Sequence, residues 1–156
     1  MRIVVYTNWL VAAYFIKRNQ SRSEIVSRFA ERCDIPWTVP APALLEARSV
    51  FAAYAGKANG PEWEKLKADM GLKLLQLPFS WDEIVRKAEE LSDRFATKAR
   101  VGTFDLLILA TALKVEATHL LSFDTNSSLR ALGAVLQFKV FPELTTEDKQ
   151  RVAALR

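Results

Sequence analysis

Short apolar runs alternate with longer helical patterns along the whole of this chain, and few architectures accept that pattern. Residues 2–6 contain Ile3-Val4-Val5, β-branched and uninterrupted, as in a strand covered on both faces. Four further runs read as strands. They are Trp37-Thr38-Val39 between Pro36 and Pro40, Leu74-Leu75-Gln76-Leu77 stopped by Pro78, residues 119–123, and residues 136–141. Helical patterns fill the intervals. The first covers residues 9–17. Ser21-Arg22-Ser23-Glu24 matches a capping box ahead of Ile25, Val26 and Phe29. Pro42 suits the first turn of a helix carrying Leu44, Leu45, Val50 and Phe51 and ending near Gly56. After the break at Asn59-Gly60-Pro61, Pro61 opens a helix through Trp63, Leu66 and Met70. Ser80 and Glu83 form a second box, with Phe79 and Ile84 as a hydrophobic staple, and that helix runs to Phe95. Gly102-Thr103 precedes residues 104–115, apolar on almost every side and therefore a buried helix. Residues 127–132 read as a short helix ending at Gly133, and the polar tail after Thr145 as a last helix or a frayed end.

Strand alternating with helix implies a parallel sheet with helices on both faces. The expected fold is α/β: three α/β/α layers around a central, mostly parallel sheet of about five strands. No internal repeat, low-complexity stretch or separating linker interrupts it. The 156 residues are read as one domain, 1–156, long enough to bury a core.

Composition narrows the function classes. Half the residues are hydrophobic and 26% charged, ordinary for a globular chain, and the net charge of +4 permits a polyanion partner without requiring one. Cys33 is the sole cysteine, which excludes an internal disulfide and suits a reducing compartment. The start of the chain lacks a signal-peptide core, and no apolar run reaches the roughly 18 residues of a membrane span. A cytoplasmic location with no membrane contact is the expectation. His119 has no serine or cysteine placed for a triad, and there is no P-loop or dinucleotide fingerprint.

An α/β sheet of this kind gathers its chemistry at the carboxyl ends of its strands. Four positions meet that rule: Tyr6 ends the first strand, Glu46 lies one turn into the helix after the second, Asp105 opens the buried helix, and Asp124 ends the strand Leu120-Leu121-Ser122-Phe123. Asp105 is the only charge in residues 101–113, an otherwise apolar stretch that includes most of that helix. A buried carboxylate is costly unless paired, capped or bound to a cation, although the helix N-terminus alone would favour it by about 0.3–1 kcal/mol. Glu46 reads equally as an exposed helix residue, and Asp124-Thr125-Asn126 equally as a simple turn. Together, three acids from three elements make a candidate Mg²⁺ or Mn²⁺ site, since hard cations take oxygen ligands.

These residues resemble the PIN-domain family, including its toxin ribonucleases of VapC type. The resemblance spans residues 3–141. It rests on Val5-Tyr6-Thr7-Asn8-Trp9-Leu10, on Leu44-Leu45-Glu46, on Phe104-Asp105-Leu106-Leu107-Ile108-Leu109-Ala110-Thr111-Ala112-Leu113, and on Leu120-Leu121-Ser122-Phe123-Asp124. It implies an endoribonuclease in which Glu46, Asp105 and Asp124 hold one or two Mg²⁺ or Mn²⁺ ions, with Thr7 and Asn8 orienting the carboxylates. It further implies an RNA substrate, a protein antitoxin as partner and a homodimer. Tyr6 departs from the pattern, which has an aspartate there. A phenol titrates near 10, is neutral at pH 7, and is a poor Mg²⁺ ligand. The resemblance thus carries two expectations: a nuclease impaired by Tyr6, or a PIN fold that binds RNA or a protein without cleaving. Lys98 and Arg100 precede Asp105 as candidate phosphate contacts, and Lys17, Arg18 and Arg22 form a second basic group, although solvated faces account for such groups as well. Trp9, Trp37, Trp63 and Trp81 offer stacking surfaces or core packing.

Overall fold

A computed structural model describes residues 2–33, 35, 37–56, 60–73 and 79–156, without the side chains of 70–73. The expected strand at residues 74–77, its stop at Pro78, and the break residue Asn59 lie outside the described residues, as does Pro36.

Among the described residues four strands form one sheet, β1 (Ile3–Val5), β2 (Trp37–Thr38), β3 (His119–Leu121) and β4 (Lys139–Phe141), in the order β2-β1-β3-β4 with every pairing parallel. The register sets Val5 opposite Leu121 and Leu121 opposite Phe141, so the carboxyl ends of β1, β3 and β4 lie level. Among the described residues eight α-helices accompany the strands: α1 (Thr7–Tyr14), α2 (Gln20–Arg32), α3 (Ala41–Ala55), α4 (Pro61–Lys73), α5 (Trp81–Phe95), α6 (Thr103–Lys114), α7 (Leu129–Val135) and α8 (Thr146–Leu155).

Alternation along the strands divides the core. Ile3, Val5 and Leu121 face a cluster built with Trp9, Phe51, Leu66 and Phe123, whereas Val4 and Leu120 face one built with Leu91, Phe95, Ile108 and Leu132. Helices therefore cover both sheet faces, as the uninterrupted β-branched run of β1 requires. On the first face Trp9 is fully buried and stacks on Phe123 with ring centroids 4.9 Å apart. On the second, α6 is buried from Leu107 to Ala112, which accounts for its apolar circumference.

Local signals were read unevenly by sequence. The Ser80–Glu83 box exists in both directions and starts α5. The Ser21–Glu24 box does not: α2 begins at Gln20 after Asn19, and Ser23 Oγ instead donates to the Ala12 carbonyl at 2.5 Å, joining α2 to α1. The first helix spans Thr7–Tyr14, followed by a 3₁₀ turn at Ile16–Arg18, rather than one helix over 9–17. Gly133 does not end its helix. It lies inside α7, where an added Cβ would sit 2.7 Å from Leu120 Cδ2, so its role is close approach to the sheet. Among the described residues no helix is long and apolar enough to cross a membrane.

Candidate acidic active site

Parallel strands open their carboxyl ends on one edge, and the acidic positions leave from that edge. Tyr6 follows β1 directly. Its N–H donates to the Leu121 carbonyl at 2.9 Å, and its own carbonyl accepts the first turn of α1, so Tyr6 is both the end of a strand and the N-cap of a helix. Glu46 lies one turn into α3, after β2. Asp105 is the third residue of α6, and Asp124 stands in the turn between β3 and α7.

Tyr6 and Asp105 meet. The Tyr6 hydroxyl donates to Asp105 Oδ1 at 3.0 Å, and both side chains are buried. Burial, then the charges of Asp105 and Glu46, push the Tyr6 phenol far above its ordinary range, so it remains a neutral donor at physiological pH. The Asp105 carboxyl is raised as well. Burial is the largest cause and the carboxylates of Asp124 and Glu46 act in the same direction, while bonds from the Tyr6 and Ser127 hydroxyls pull it back. Thus Asp105 and Tyr6 both sense Glu46 and Asp124, and four elements contribute to one acidic field.

Each remaining acid is held by its own neighbours. Thr7 Oγ1 lies 2.5 Å from Glu46 Oε2 and 3.1 Å from the Ala43 carbonyl, and its single proton serves one of them at a time. Asp124 accepts the N–H groups of Asn126 at 2.9 Å and Ser127 at 3.2 Å on Oδ1, and the Ser127 hydroxyl at 2.7 Å on Oδ2. Asn8 Oδ1 accepts the Phe123 N–H at 2.8 Å, tying the start of α1 to the segment that presents Asp124.

Carboxylate oxygens suit a hard cation, yet as arranged these residues do not fit one. The Tyr6 phenol is bonded to Asp105 Oδ1, where an ion would need that oxygen, both oxygens of Asp124 accept bonds within the chain, and Glu46 Oε2 lies 2.5 Å from Thr7 Oγ1. Among the described residues no group of three or more His, Cys, Asp or Glu is disposed to hold a metal ion.

Of the basic residues singled out in sequence, Arg22 lies over the Phe123 ring, 5.4 Å from its centroid, and Arg18 over Tyr54, while Lys98 and Arg100 are not partners in these bonds. Lys98 Nζ donates to the carbonyls of Leu155 and Arg156 at 3.3 and 3.2 Å, and Arg100 is exposed ahead of α6. Trp9 and Trp63 are core residues, Trp37 is half-buried, and Trp81 is exposed at the start of α5. His119 is half-exposed at the start of β3, with Nδ1 2.8 Å from Thr118 Oγ1, and Cys33 is half-buried. Sequence reasoning missed Ser127, whose hydroxyl donates to Asp124 Oδ2 at 2.7 Å and lowers the pKa of neighbouring Asp105. Its spacing three residues beyond Asp124, in a turn that an aspartate caps, was the available signal.

The PIN-domain profile matches residues 3–133. The chain belongs to the PIN-domain family. PIN domains are generally nucleases that use divalent metal ions. The fold is similar to that of a chain in the crystal structure of VapBC2 from Rickettsia felis bound to a DNA fragment from their promoter. The TM-score is 0.58 at 17% identity, over 90% of this chain and 97% of that one. No curated protein matches the sequence significantly. Tyr6, Thr7, Asn8, Glu46, Asp105 and Asp124 all fall within the PIN match, while β4 and α8 lie beyond it.

Proposed function

We propose that this chain is a PIN endoribonuclease of the toxin–antitoxin kind whose acidic centre is shut by Tyr6. With Tyr6 displaced from Asp105, Glu46, Asp105 and Asp124 would be its catalytic and metal-binding acids, Mg²⁺ or Mn²⁺ its cation, and RNA phosphodiesters its substrate. Thr7 and Asn8 are the residues that orient this centre. Arg100, exposed, is the freer of the two candidate phosphate contacts, since Lys98 is already bonded at the end of α8. The partners are a protein antitoxin and a second copy of the chain, in the cytoplasm. One observation carries the reading: the neutral Tyr6 phenol donates to buried Asp105 in the field of two further carboxylates. Tyrosine supplies a proton where a fourth carboxylate would supply charge for a cation.

The test is cleavage of a mixed RNA pool by the chain and by Tyr6→Asp, each with Mn²⁺ and with a chelator. We expect Tyr6→Asp to cleave on the order of 10²-fold faster than the unaltered chain, and chelator to abolish the gain. If Tyr6→Asp is inert and binds no Mn²⁺, the nuclease reading fails. Equal cleavage by both proteins would remove Tyr6 from the account. The internal bonding of all three acids favours a second reading, a PIN fold that binds RNA or a protein without cleaving. It predicts RNA retention without products from both proteins.

A further inference from the structure

The geometry points to α8, beyond the segment matched to the PIN family, as a clamp that sets the Asp124 turn against Asp105, with Arg151 as its positioning residue. The assignment rests on reading Glu46, Asp105 and Asp124 as the acidic centre.

Residues 122–128 connect β3 to α7 without regular secondary structure; the Ser122 N–H still reaches the Phe141 carbonyl and the Ser128 carbonyl accepts the Leu132 N–H, but between those ends no ladder or helix fixes the peptide planes. Two arginines do so instead. Arg151 Nη1 donates to the carbonyls of Thr125 at 2.8 Å and Ser127 at 2.9 Å, while its Nη2 is braced on Glu147 Oε1 at 2.6 Å within α8. Arg130, fully buried, donates to the Ser122 carbonyl through Nη1 and to Asp148 Oδ2 of α8 through Nε at 3.0 Å. Its Nη2 binds the carbonyls of Pro142 at 2.7 Å and Glu143 at 2.8 Å.

The peptide group is planar and trans, so holding a carbonyl aims the N–H of the same peptide in the opposite direction. The peptide whose carbonyl belongs to Thr125 carries the Asn126 N–H, which donates to Asp124 Oδ1 at 2.9 Å. The peptide whose carbonyl belongs to Ser122 carries the Phe123 N–H, which donates to Asn8 Oδ1 at 2.8 Å. Each arginine thus grips the outer side of a peptide whose inner side holds a residue of the site. A guanidinium on the carbonyl also polarises the peptide and strengthens the bond its N–H makes. Asp124 is thus aimed from α8 through the Thr125 and Ser127 carbonyls.

Backbone amide exchange on the full chain, unaltered and as Arg151→Ala and Arg151→Lys, tests the clamp without any metal. We expect the Asn126 and Ser127 amides to exchange about tenfold faster or more in Arg151→Ala, while those of Val4 and Leu120 keep their rates, with partial recovery in Arg151→Lys. In a Tyr6→Asp background, Arg151→Ala should lower kcat for RNA about tenfold at unchanged KM, the size expected for a residue supporting a ligand from behind. Unchanged exchange at Asn126, or equal acceleration of every amide, would overturn the clamp. A Tyr6→Asp protein that cleaves nothing would instead overturn the nuclease reading, and the exchange rates would still decide the clamp.

Discussion

Asp105 and Asp148 are the same residue at the same helical position in two parts of the molecule. Each is the third residue of its helix and each is nearly inaccessible, at 6% and 1% exposure. Their surroundings differ in every other respect. Asp148 accepts the Thr145 N–H at 2.9 Å and the Arg130 guanidinium at 3.0 Å, in a complete capping box. Burial alone would raise its carboxyl, but the Thr145 N–H and Arg130 outweigh that and hold it below the ordinary range. Asp105 follows a glycine N-cap that has no side chain to offer, and no cation is paired with it among the described residues. One hydroxyl, that of Tyr6, donates to it, and burial with the charges of Asp124 and Glu46 raises its carboxyl. A buried charge that serves the fold carries its counterion with it. A buried acid set among other acids is a cost to the fold, and such costs concentrate where chemistry is done.

The largest test of this contrast removes the counterion. Arg130→Met should destabilise the chain by about 3–5 kcal/mol, because it leaves Asp148 buried without its counterion and frees three backbone carbonyls. The midpoint and slope of urea denaturation measure it. A loss under about 1 kcal/mol would mean that the Asp148 site is no better satisfied than the Asp105 site, and the contrast would collapse.

Sequence disclosed these two aspartates unequally. Asp105 stood out as the only charge between residues 101 and 113, and Glu46 and Asp124 followed from the rule that sites form at strand ends. Asp148 and Arg130 gave no such signal, since one lies in a polar tail and the other in a short helix, and their pairing spans two elements. The layered architecture was legible because period and length alone determine it. Helix starts were legible where a local box decides them, as at Ser80. They were illegible at Ser21, where packing against α1 recruits Ser23 for a different bond. Gly133 looked like a terminator because conformational freedom and close approach leave the same letter. Tyr6 was legible as a departure from pattern, but its hydroxyl bond to Asp105 belongs to tertiary structure alone.

A smaller effect is expected from Tyr6→Phe. The ring keeps its place in the core and only the donor to Asp105 is lost, so stability should fall by about 1–2 kcal/mol. Thermal or urea unfolding near neutral pH reads this directly. If stability does not change, the phenol is a spectator of Asp105, and the acidic centre is shut by volume alone.

The smallest effect is told by its sign. Asp105→Asn should stabilise the chain by up to about 1 kcal/mol near neutral pH, whereas Asp148→Asn should destabilise it. The two differ in pH dependence as well. Folding raises the Asp105 pKa, so the folded chain holds that proton more tightly than the unfolded chain does. Its cost is absent below the ordinary carboxylate range and grows as pH rises through the folded value. Folding lowers the Asp148 pKa, so its stabilisation is full above the ordinary range and is lost as pH falls through the folded value. Urea midpoints measured from acidic to neutral pH should therefore show Asp105→Asn matching the unaltered chain in acid and exceeding it toward neutrality. Asp148→Asn should match it in acid and fall below it toward neutrality. Parallel curves for the two variants would show that the neighbouring carboxylates do not burden Asp105, and that its burial alone sets it apart from Asp148.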